Sequence, residues 1–78
     1  MSPKVGEFDG IEVTIISGDH GNPHVHAWYP GYKVKIFIET LGIDKGGLPP
    51  KQMKKLEKWI AENEEDLLDL WDEITGSP

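Results

Sequence analysis

The chain contains no cysteine and no arginine. The first absence excludes a disulfide framework, a thiolate zinc site and a cysteine nucleophile, and leaves hydrophobic packing as the main stabiliser. The second removes the side chain that most often grips phosphate and guanine in a bidentate fashion, so direct reading of nucleic acid is not expected. No apolar run approaches the ~20 residues of a membrane span. The opening Met1 to Phe8 segment has no apolar signal-peptide core, which predicts a cytoplasmic protein. Serines occur only at Ser2, Ser17 and Ser77, none in a nucleophile-elbow pattern, and the acids crowd one segment instead of flanking a cleft. Neither a serine triad nor a paired-carboxylate glycosidase is supported, and no catalytic residue is assigned.

What remains is 78 residues, 37% hydrophobic and 28% charged, with 14 acids against eight lysines and a net charge of -6. That length holds one core, so residues 1–78 are read as a single soluble α+β domain. Its first half alternates in the period-two manner of half-buried strands. Three strands are expected, at 11–17, 24–29 and 32–39, forming a small three-stranded antiparallel sheet. Pro30-Gly31 marks a turn, and a two-residue loop there would set Tyr29 opposite Tyr32, Ala27 opposite Val34 and Val25 opposite Ile36. A longer or bulged loop is the alternative, because Pro-Gly suits a type II turn better than the primed types of hairpins. The two-residue register sends His24, His26 and Trp28 to the other face, beside Phe37, Lys35 and Lys33.

Gly42 to Pro50 is rich in glycine and proline and reads as a loop, with proline placed for a first helical turn. A helix is expected over 51–62, with Met53, Leu56, Trp59 and Ile60 inward and Lys51, Lys54, Lys55 and Lys58 outward. Asn63 is a candidate N-cap for a second helix over 64–74, whose inward face is Leu67, Leu70, Trp71 and Ile74. One continuous helix is the alternative. The two helices should cover one face of the sheet, and the core should hold Ile11, Val13, Ile15, Val34, Ile36, Leu56, Ile60, Leu67 and Trp71.

Several segments resemble the bacterial domain of unknown function 4160, a group of small proteins associated with toxin-antitoxin loci. They are Phe8-Asp9-Gly10-Ile11, Asp19-His20-Gly21-Asn22-Pro23-His24-Val25-His26-Ala27, and Gly47-Leu48-Pro49 followed by a helix with Trp59, Leu67 and Trp71. The middle segment is similar to the pattern Asp-His-x-Pro-Pro-His-Phe-His-Ala, with Asn22 in place of a proline and Val25 in place of phenylalanine. The resemblance implies the fold and a bacterial or phage origin, and names no activity.

Two features carry candidate chemistry. His20, His24 and His26 cluster with Asp19, and neighbouring imidazoles can bridge a divalent transition metal, His24 and His26 being ~6.5 Å apart at Cα on one strand face. The competing reading is structural: Asp19, His20 and Asn22 bond turn backbone while the strand histidines pack on Trp28, Phe37 and Lys35. The second feature is the run from Glu62 to Glu73, with seven acids and no base. Glu65, Asp66, Asp69, Asp72 and Glu73 fall on one ~120° arc over ~12 Å of helix. Duplex DNA presents roughly seven charges over that length.

The reading placed first is a small acidic regulator or inhibitor. It would be a DNA mimic of antitoxin-like or anti-CRISPR-like kind, binding a protein partner's basic nucleic-acid-binding surface through that helix, with Trp28 at the contact edge. No direct nucleic acid or membrane partner is expected. A divalent-metal module on the histidines, even a metal-dependent enzyme, comes second. A nucleic-acid platform of Trp28, Phe37, Lys33 and Lys35 comes last because the net charge opposes it. A purely solvated helix face, or pairing of the acids with the lysines of the preceding helix, is the bland account of the stripe.

Overall fold

The structure, a computed structural model, describes residues 4–76. Met1, Ser2 and Ser77, named above, lie outside the described residues. Five strands form one antiparallel sheet in chain order: β1 (Lys4–Phe8), β2 (Ile11–Thr14), β3 (His24–Tyr29), β4 (Tyr32–Phe37) and β5 (Ile43–Gly47). Helices α1 (Pro50–Glu62) and α2 (Glu64–Thr75) follow. The fold is thus α+β with two C-terminal helices, but the three-stranded sheet is corrected to five strands.

The three expected strands are the centre of the sheet, and the two missed ones are its edges. The β3–β4 register is the expected one, with Val25, Ala27 and Tyr29 opposite Ile36, Val34 and Tyr32, so the Pro30-Gly31 loop has two residues. β1 joins β2 through Asp9-Gly10, both at positive φ (48° and 78°), as a type I′ hairpin turn requires. β5 lies in the stretch expected to be a loop, because its Gly46-Gly47 ending lacks strand propensity. It pairs with β4 through a register shift at Lys35/Ile36, where a strand edge tolerates irregularity.

Alternation across this sheet sorts the side chains. Gly6, Val13, Ala27, Val34 and Gly46 lie in one cross-strand row. The Gly6 end of that row meets α1, for a Cβ at Gly6 would stand inside the Trp59 indole, which itself stacks on Phe8 at 5.2 Å. All nine expected core residues are buried, joined by Val25, Ala27, Ile38 and Leu48 in one cluster. Leu56 and Ile60 of α1 and Leu67 and Trp71 of α2 belong to it, as helical periodicity predicts.

The helices are separate, broken at Asn63 (φ -118°, ψ 19°). Asn63 occupies the N-cap position of α2, but its side chain does not cap that helix. Its Nδ2 donates instead to the Trp59 carbonyl at 2.8 Å, a second bond to an acceptor that also takes the Asn63 backbone N–H at 3.1 Å. Asn63→Ala should therefore cost about 0.5–1.5 kcal/mol, the usual worth of one such bond. Thermal unfolding would measure it, and an unchanged midpoint would make the bond irrelevant.

Candidate functional site

The rows Glu12–Trp28–Lys33 and Thr14–His26–Lys35–Lys45 run across the opposite, more polar face of the sheet, where Thr14 is buried and Glu12, Trp28, Lys33 and Lys45 are exposed. Trp28 is 37% exposed and stacks on His26 with ring centroids 6.0 Å apart. Lys35 pairs with Asp44 at 3.3 Å, whereas Lys33 and Lys45 have no ion pair among the described residues. A shallow hollow of about 430 Å³ lies here, lined by Ile16, His26, Trp28 and the three lysines. A second, of about 680 Å³, lies on the other side of Trp28 at the β3–β4 turn, beside Tyr29 and Tyr32. This face is locally basic although the chain is acidic.

At one corner of the face the β2–β3 loop brings Asp19 over β3. Its Oδ2 lies 2.9 Å from His24 Nε2 and 3.0 Å from His26 Nε2, so a single carboxylate oxygen serves both rings. On the other side of His24, Nδ1–H donates to the Asn22 carbonyl at 2.8 Å. Partial burial pushes the Asp19 carboxyl up, but the hydrogen bonds from His26 and His24 and their charge attraction outweigh it and hold it below the ordinary carboxylate range. Asp19 is therefore an ionised acceptor.

Of the expected cluster, the structure brings together Asp19, His24 and His26, whose ligand atoms all lie within 4.8 Å of one another, and leaves out His20, which is exposed. The sequence places His24 on a mixed, aromatic and polar face of the sheet. His24 is only 2% exposed, with Trp71 of α2 tilted against it at 4.8 Å and Phe37 edge-on at 6.1 Å. Sequence reasoning missed this Trp71 contact and the Asn22 carbonyl. Helical periodicity assigns Trp71 to the core, and no local pattern ties it to β3.

On α2, Glu65, Asp66, Asp69, Asp72 and Glu73 are all exposed, as the helical arc requires. None of them enters an ion pair among the described residues. The lysines that do pair are Lys4 with Glu7 and Glu12, Lys35 with Asp44, and Lys55 with Asp9. The stripe is thus not neutralised by α1. Trp28, grouped with it above, stands on the sheet and not on the helix.

A sheet of five strands in meander order closed by a helical pair, with a histidine–aspartate corner at β3, defines the class of this protein. A family model, the domain of unknown function DUF4160, matches residues 10–72, and the chain belongs to that family. Comparison with curated proteins and with solved structures finds no match. No helix among the described residues is long and apolar enough to cross a membrane.

Proposed function

We propose that the protein is a small acidic regulator or inhibitor that occupies the basic, nucleic-acid-binding surface of a protein partner through α2. The single observation that carries this reading is the unpaired carboxylate stripe Glu65, Asp66, Asp69, Asp72 and Glu73. Its cost to the free protein supports the reading. Asp69 faces Asp66, Asp72, Glu65 and Glu73 at three- and four-residue spacings, each a like-charge repulsion of about 0.2–0.5 kcal/mol. Asp72 and Glu73 sit in the last turn of a helix without a basic residue there, against the helix dipole. Solubility alone would be served equally by charges of mixed sign placed without repulsion. An antitoxin-like or anti-CRISPR-like DNA mimic requires this one-signed, phosphate-like row.

The expected result of reversing Asp69 and Asp72 to lysine is twofold. The free protein gains about 0.5–1 kcal/mol from relieved repulsion and a better-matched helix end. Binding to the partner, isolated from the native host by co-purification, weakens more than tenfold at low salt. Near 0.5 M salt much of that difference disappears as screening shortens below the ~8 Å of physiological buffer. Nucleic acid and this protein should compete for the partner. If both bind it together without mutual loss of affinity, mimicry is wrong and the stripe only solvates the helix.

A further inference from the structure

The contacts around His24 fix where its Nε2 points. Its Nδ1 lies 2.8 Å from the Asn22 carbonyl, which only accepts, so Nδ1–H donates there. Its Nε2 is thereby turned toward Asp19 Oδ2 at 2.9 Å, and the same oxygen lies 3.0 Å from His26 Nε2. Trp71 and Phe37 pack against the ring in this orientation and leave it 2% exposed. An imidazole whose Nδ1–H is tied to a backbone carbonyl and whose Nε2 points at a carboxylate and a second imidazole has the arrangement typical of a metal-bound histidine.

We propose that His24 Nε2, His26 Nε2 and an oxygen of Asp19 form a binding site for one divalent transition-metal ion of the zinc, cobalt or nickel type. Two imidazoles and a carboxylate suit these borderline ions and not magnesium or calcium, which prefer oxygen alone. Bonds of ~2.0–2.2 Å in a tetrahedral site set neighbouring ligand atoms ~3.3–3.5 Å apart. The Asp19–His24 and Asp19–His26 contacts, at 2.9 and 3.0 Å, need to open by a few tenths of an ångström, while the two imidazole nitrogens, within 4.8 Å of each other, need to draw together by side-chain rotation. On binding, any proton on either Nε2 is released to solvent, while Asp19 stays ionised throughout.

Three protein ligands leave at least one coordination position free. His26 lines the hollow that also holds Lys33, Lys35 and Lys45, whose ammonium groups favour an anion as the ligand completing the site, and inorganic phosphate is the probe. The site is independent of the acidic stripe on α2, and either can fail without the other.

The test is titration of the metal-free full chain with Co²⁺, followed by visible absorption, and with Zn²⁺, followed by calorimetry. One equivalent should bind, with the intense visible bands of low-coordinate cobalt, and phosphate should perturb those bands. Asp19→Asn and His26→Ala should each weaken binding by about tenfold or more, whereas His20→Ala should leave it unchanged. The buried His24 is better observed than replaced. In wild-type protein, the Nε2 nitrogen resonances of His24 and His26 should move together on adding zinc while those of His20 stay. Absence of saturable binding, affinity surviving both Asp19→Asn and His26→Ala, or loss through His20→Ala alone would overturn the site. Nitrogen spectra showing both His24 nitrogens protonated throughout the zinc titration would do the same, assigning the corner to an imidazolium–carboxylate pair.

Discussion

Replacing Trp71 with alanine is expected to remove about 3–5 kcal/mol of folding stability. The side chain is 2% exposed and belongs to the cluster that joins both helices to the sheet. Its ring also covers His24 at 4.8 Å, so the cavity left by truncation opens beside a polar ring and admits water to it. A domain of this size holds only about 5–15 kcal/mol in total, and the variant should be partly unfolded at ordinary temperature. Urea titration with the slope held constant measures the loss. Asp66→Ala, on the exposed arc, should stay within about 0.5 kcal/mol of wild type. A loss at Trp71 no larger than that would remove the tryptophan from the core.

The second large effect is expected at Gly46, and Gly47 beside it supplies the control. Gly46 has φ +74° in β5, and a Cβ there would collide with the Lys33 carbonyl, which belongs to the paired backbone of β4 and cannot move alone. Left-handed backbone costs an alanine about 1–2 kcal/mol before any collision is counted. Gly46→Ala should therefore lose about 2–4 kcal/mol in all and free the amides of the β4–β5 ladder. A Cβ at Gly47 would meet nothing within 4 Å, so Gly47→Ala should be nearly silent. Denaturant unfolding and amide exchange read both. Equal, small effects would show that β5 contributes little to the fold.

The same pair of glycines explains which parts of the fold were legible. Strands β2, β3 and β4 announce themselves by alternation because each buries a continuous apolar row. Edge strands bury less: β1 carries Gly6 where Trp59 needs room, and β5 ends in Gly46-Gly47 where the backbones close in. Glycine selected by close approach looks locally like a loop. The Asp9-Gly10 pair, a strong turn signal between Phe8 and Ile11, was the available clue to β1. At the histidine corner, spacing placed His24 and His26 on one strand face and Asp19 nearby, but could not separate Asp19 from His20. That choice is made by the path of the loop. The carboxylate comes over β3 while the His20 ring is left in solvent. On α2, helical phase alone predicted the exposed arc, whereas the lack of pairing with α1 depends on how two helices meet and is not written in either.

Because every strand pairs with its neighbour in sequence and both helices come last, the order of synthesis matters to this protein. A ribosome delivers the five strands before the residues that cover Val13, Ala27 and Val34 exist. Short-range hairpins can form early, since little loop entropy opposes them. The nascent sheet must then hold an uncovered apolar surface until α1 and α2 emerge, and during that interval it is prone to sticking to its neighbours. Slowing translation within the codons for residues 50–75 should therefore lower the soluble yield more than slowing it anywhere earlier.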